Sequence, residues 1–180
     1  GFSGGRFFLA FSDGAIRGYH PVTLQEEVSA HVFQGPVLLA GTPDLLTAGS
    51  DCTIRSFQPG DLTPVDRYDA GGQVLHLASP GGGFVSACIS GGNEVVLLAL
   101  PGLSVSSMFT VTGTPLAAAV DPALEYAMAF TDRGILVAVG SGGGIGWRTE
   151  EFGELLDIAV SPDGWNALVL SRQALAILEK

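Results

Sequence analysis

Lysine is almost missing from this chain. Lys180 is its only example, and with seven arginines it stands against eighteen Asp plus Glu, a net charge of −10 over 180 residues. A surface of that sign repels phosphate backbones, so nucleic acid is excluded as an expected partner. A basic patch on another protein is compatible with it, although an evenly acidic, solvated surface is the simpler reading. Cysteine is scarce. Cys52 and Cys88 form no CxxC pair and lie within apolar segments, so both read as small buried hydrophobes and no disulfide framework is indicated. The three histidines, His20, His31 and His76, stand at no metal-ligand spacing. No apolar run approaches the roughly 20 residues that span a bilayer, so no membrane partner is expected. There is no secretory leader and no Asn-x-Ser/Thr site, and the expected location is the cytoplasm. Helical periodicity is never sustained without a Gly or Pro breaking it.

What the chain does have is glycine, 26 residues scattered among short apolar runs, in a composition that is 47% hydrophobic. That suits an all-β chain with many tight turns and one sizeable core. The apolar runs recur. "FFLAFS", "LLTAGS", "FVSACIS", "YAMAFT" and "NALVLS" end at Ser12, Ser50, Ser90, Thr131 and Ser171, spaced by 38, 40, 41 and 40 residues. A proline turn keeps the same step at "TPD", "SPG", "DPA" and "SPDG", with Pro43, Pro80, Pro122 and Pro162 spaced by 37, 42 and 40.

Each unit then reads as four strands. An inner strand a leads into the proline turn, and strand b ends at the Ser/Thr marker. Strand c follows a tight turn, and a more polar strand d lies outermost. The units fall at about 6–34, 35–71, 72–113, 114–153 and 154–180. Four antiparallel strands every ~40 residues is the period of a β-propeller blade. Inner strands sandwiched between blades become continuous apolar runs, and the outermost strand carries the charge.

"AGSDCTIRSF" at 48–57, "FSDGAIRGY" and "AVSPDG" resemble segments of the WD40 repeat family. The resemblance implies a divergent WD40-like propeller and a protein-interaction scaffold rather than an enzyme, with no cofactor. The family's Trp-Asp ending of strand c is absent, replaced by Tyr19-His20 and Phe57-Gln58. The resemblance also implies that His31 and Asp51 hydrogen-bond as a structural pair. In such proteins the d–a and b–c loops share one face where partners dock. Carried onto this chain, that face holds Asp13, Phe33, Gln34, Asp51, Asp132, Arg133, Arg172 and Gln173. Of these, Phe33, Gln34, Asp132, Arg133, Arg172 and Gln173 are the candidate partner-binding residues. Trp147 and Trp165 read as packing anchors.

The strands run b-c-d, three complete units, then a-b-c, about four and a half blades, where seven would need roughly 280 residues. The expected whole is therefore a longer, seven-bladed propeller of which this is the C-terminal part. Its missing blades would come from another segment or another chain. A closed five-bladed ring is the rival, but the residues before Arg6 make a poor inner strand.

Catalytic motifs fail on context. "GSGGGIG" at 140–146 satisfies Gly-x-Ser-x-Gly at Ser141, but it joins two strands rather than a strand to a helix, and no Walker lysine follows. His76 and Asp157, on two inner strands, are the only candidates for a ligand-dependent or metal-dependent hydrolase or lyase site in a central channel. That is the alternative function.

Overall fold

Strand-forming residues and turn chemistry settle the architecture, and a computed structural model describes residues 1–140, 145–149, 155–161, 166–172 and 175–179. Among the described residues there are nineteen strands in five sheets, each a simple antiparallel meander. The first sheet is β1 (Phe2–Ser3), β2 (Arg6–Ala10), β3 (Ala15–Tyr19) and β4 (Glu26–His31). The second is β5 (Leu38–Gly41), β6 (Leu46–Ser50), β7 (Thr53–Phe57) and β8 (Pro64–Asp69). The third is β9 (Val74–Gly81), β10 (Phe84–Ile89), β11 (Glu94–Ala99) and β12 (Ser104–Thr110). The fourth is β13 (Pro115–Val120), β14 (Tyr126–Thr131), β15 (Leu136–Gly140) and β16 (Ile145–Thr149). The fifth has β17 (Leu155–Val160), β18 (Asn166–Ser171) and β19 (Leu175–Glu179). These are the blades of a partial β-propeller.

Two expectations are corrected here. The first unit does have an inner strand, because Phe2 pairs with Phe7 and Ser3 with Arg6 in β1 and β2. Two residues suffice, since Gly4 and Gly5, both at positive φ, make the tight return. Pro80 lies inside β9 rather than in a turn. The reversal is made by Gly81, Gly82 and Gly83, whose φ values of 95°, 60° and 80° are open to glycine at no steric cost.

Neighbouring sheets pack face to face, and each of the four interfaces has its own core. Phe8, Ile16 and Phe33 meet Leu46, Ala48, Phe57 and Leu62 between the first two sheets. Ala40 and Ile54 meet Val74, Leu77, Val85 and Leu98 between the second and third. Cys88, Val95, Leu97 and Phe109 meet Ala118, Val120, Ala127 and Val137 between the third and fourth. Ala117, Ala119, Met128 and Phe130 meet Ile158, Ala167 and Val169 between the fourth and fifth. The continuous apolar runs are now explained by the period of two. Along β11, Val95 and Leu97 face the fourth sheet while Val96 and Leu98 face the second.

The residue before each of the four marker prolines accepts from nearby backbone. Thr42 Oγ1 accepts the Leu45 N–H at 3.1 Å, and Ser79 Oγ the Gly81 N–H at 3.3 Å. Asp121, buried, accepts from Ala123, Glu125 and Tyr126 at 3.2, 2.7 and 2.9 Å, and Ser161 Oγ accepts from Asn166 at 2.9 Å. Short polar side chains do this because they reach their own backbone within the turn.

Candidate partner-binding face

Strands that alternate in direction put every b–c turn and every d–a linker at the same end of the arc. The Ser/Thr markers turn out to be fasteners there. Ser50 Oγ donates to the Pro36 carbonyl at 2.7 Å, and Ser90 Oγ accepts the Gln73 N–H at 2.9 Å. In the fourth sheet Asp132 does the work, with its Oδ1 accepting the Thr114 N–H at 2.9 Å and its own N–H donating to the Thr114 carbonyl. The b–c turns of the second, third and fourth sheets are thus each tied to the linker that enters their own sheet, while Gly14 in the first sheet accepts from Val32 and Phe33 of the linker to the second.

The candidate residues fall as follows. Gln34, Asp132, Arg133 and Arg172 are exposed on this end, and Gln173 lies outside the described residues. Phe33 is on the same linker but buried. Arg55 stacks over its ring at 4.8 Å and donates through Nη1 to the Val32 carbonyl at 3.0 Å, so its aromatic surface is committed to packing. Gly14, at φ +92°, lets that linker approach, because a Cβ there would collide with the Phe33 carbonyl.

The expected His31–Asp51 hydrogen bond is not formed. Both side chains are exposed; His31 ends β4 opposite Ala15, while Asp51 sits in a tight turn at φ 49°. Two-residue reversals need such left-handed backbone, and Asp tolerates it. Cys52 beside it is exposed, which corrects its reading as a buried hydrophobe. Cys88 is buried, and burial pushes its thiol up to about 12, which leaves it inert. Ser141, Trp165 and the Trp147 side chain lie outside the described part of the structure.

Two grooves open on this end, each between adjacent sheets. One, of about 230 Å³, is bordered by Pro36, Leu38, Ser50, Asp51 and Gln73. The other, of about 660 Å³, is bordered by Gly91, Asn93, Thr110, Thr112, Asp132 and Arg133. Sequence reasoning placed Asp132 and Arg133 on this face but missed the threonines and glycines around them.

The two inner-strand candidates do meet. His76 Nε2 in β9 lies 3.5 Å from Asp157 Oδ1 in β17, and His76 Nδ1 accepts the Ala118 N–H of β13 at 3.5 Å. The half-buried imidazole thereby spans three consecutive inner strands. Burial lowers its pKa, and the Asp157 charge opposes that shift. Asp157 itself is exposed and accepts the Ile158 N–H at 2.8 Å. Among the described residues no three His, Cys, Asp or Glu side chains converge as metal ligands.

No family model matches the sequence, and no curated protein matches it either. Solved structures do match. The β-propeller domain of Cps50 (Swd1) from Myceliophteria thermophila superposes with a TM-score of 0.76 over 93% of this chain at 10% identity. The chain spans 61% of the length of that structure. The likeness is one of fold, and it agrees with the propeller reading of the five sheets.

Proposed function

We propose that this chain is a non-enzymatic, WD40-like scaffold module that holds protein or peptide partners on the end carrying the b–c turns and d–a linkers. The observation that carries the reading is the gathering of both grooves and of Gln34, Asp132, Arg133 and Arg172 on that one end. Rigid sheets beneath polar loops are the usual plan of a recognition surface. A net charge of −10 disfavours nucleic acid as the partner. The test is affinity purification with wild-type protein and with Arg133→Ala/Arg172→Ala. Proteins retained by the wild type are expected to be lost by the double variant; retention of the same set overturns the reading.

The arc is further proposed to be completed by additional blades, from another segment or another chain. Leu24, Leu62 and Leu103 occupy equivalent c–d turns at φ 56°, 58° and 44°. Leu62 and Leu103 are 3% and 2% exposed because each packs onto the preceding sheet, whereas Leu24 is 67% exposed. Phe7 and Leu9 on β2, and Leu168, Leu170, Leu175 and Ile177 on β18 and β19, are exposed as well. Among the described residues the fifth sheet has three strands where the others have four. Light scattering coupled to size exclusion tests this: self-association is expected for the chain alone, and a stable monomer that binds no hydrophobic dye overturns it.

The channel reading rests on the His76–Asp157 contact. Stoichiometric metal in the purified protein would favour that reading over the scaffold.

A further inference from the structure

The larger groove lies between the third and fourth sheets. Its walls are the b–c turns of those sheets, with Gly91, Gly92 and Asn93 on one side and Asp132 and Arg133 on the other. Its floor is the linker from Thr110 to Thr114. Hydroxyls and bare backbone dominate, and Val111, the apolar residue of that floor, is turned into the core. Such walls suit an extended main chain better than an apolar side chain.

The charge in the groove is arranged asymmetrically. Asp132 Oδ1 is occupied by the Thr114 N–H. Arg133 is exposed and has no ion pair or hydrogen bond among the described residues. By contrast Arg6 is paired with Glu27 at 2.7 Å, Arg17 with Glu26 at 3.4 Å, and Arg55 lies against Phe33. The Arg133 stem is nevertheless placed rather than loose. Gly113 has φ +99°, and a Cβ there would sit 2.5 Å from Asp132 Oδ1 and 3.1 Å from Arg133 Cγ. A glycine at that point therefore lets both side chains close over the linker. The smaller groove between the second and third sheets has no cation on its walls.

We infer that this groove is a subsite for an extended peptide segment bearing one carboxylate side chain, with Arg133 as its counter-charge. Arginine offers a planar fork that matches a carboxylate with two parallel hydrogen bonds. The Asp132 carboxylate beside it weighs against a dianionic phosphate and for a single negative charge. The threonine hydroxyls and the glycine-rich backbone of the walls face the peptide main chain. The inference rests on the scaffold reading and adds the chemistry of what one part of that face accepts.

The test uses three fluorescein-labelled octapeptide pools of Ser, Thr, Gly and Asn with one fixed central residue: Glu, Gln or phosphoserine. Binding is read by fluorescence polarisation at two salt concentrations. The Glu pool is expected to bind about ten- to hundredfold more tightly than the Gln pool, as a charged hydrogen bond would give. Arg133→Gln should erase that preference and Arg133→Lys keep part of it, with thermal unfolding unchanged in both. Equal binding of the Glu and Gln pools, preference for phosphoserine, or a Glu preference that survives Arg133→Gln overturns the subsite. If the pools are not distinguished while the Arg133→Ala/Arg172→Ala protein still loses its partners, the subsite fails and the scaffold face stands. If the double variant keeps its partners, the scaffold face fails whatever the pools do.

Discussion

The third sheet and the fifth are built from the same kind of sequence and meet different fates. In the third, Val95 to Leu98 are all buried, because a neighbour covers each face. In the fifth, Ala167 and Val169 are buried against the fourth sheet, while Leu168 and Leu170, which alternate with them, are exposed. Apolar residues on both faces are thus a property of the repeat, and burial is a property of the neighbours. An exposed leucine in the fifth sheet is one that no other sheet covers among the described residues.

Four measurements would break or sharpen that comparison. The largest effect belongs to Leu97→Ala, whose side chain is wholly buried between two sheets. It should cost about 2–5 kcal/mol in urea unfolding, whereas Leu168→Ala should stay within about 0.5 kcal/mol. Equal costs would mean that the face of the fifth sheet is already covered. Next come the turn caps. Asp121→Ala in the fourth sheet strips a buried carboxylate from three N–H groups and should cost about 1.5–3 kcal/mol. Ser161→Ala in the fifth, with a neutral cap, should cost about 0.5–1.5 kcal/mol. If the order reverses, charge and burial do not set the strength of the cap.

His76 joins the two regions, and its effect is one of pH. Burial holds its folded pKa below the ordinary 6.5, so the unfolded chain takes up the proton first as the pH falls. Its contribution to stability is complete above that value and declines below it until the folded pKa is reached. The stability of His76→Gln should therefore fall less steeply than wild type between pH 7 and 5; identical slopes would remove the imidazole from the account. The smallest effect is expected at the rim of the first sheet, where Arg6 meets Glu27. Glu27→Gln should change stability by less than about 1 kcal/mol, and added salt should shrink even that.

The fold was legible because its signals are local and repeat. Turn residues at Thr42-Pro43, Asp121-Pro122 and Ser161-Pro162 mark where a strand must stop, and the structure shows why a short polar side chain precedes each proline. Some features were hidden for physical reasons. β1 is two residues long, too short for any periodicity, and Pro80 imitates a turn that three glycines actually make. The leucines at 24, 62 and 103 were readable as a third marker, each two or three residues after Pro21, Pro59 and Pro101. They pass unnoticed because a lone leucine in a polar turn looks accidental until the shared left-handed backbone, and the burial of Leu62 and Leu103, are seen. The groove was harder still. Sequence identifies Arg133 as a loop residue, but that Asp132 bonds the Thr114 N–H and forms no ion pair with Arg133 is visible only in the structure.

The two-sided apolar strands carry one more consequence. In a sheet with one wet face, sliding a strand by a single residue would bring polar groups inside, and that penalty fixes the alignment. Strands such as β11 and β14 would meet no such penalty, because both of their faces are greasy. The alignment of this protein is therefore written mainly in its corners: in Asp121, in the Gly81–Gly83 reversal and in the Ser50 and Ser90 hydroxyls. The middle is held instead by volume, as the wholly buried Leu97 is, and contributes packing rather than alignment.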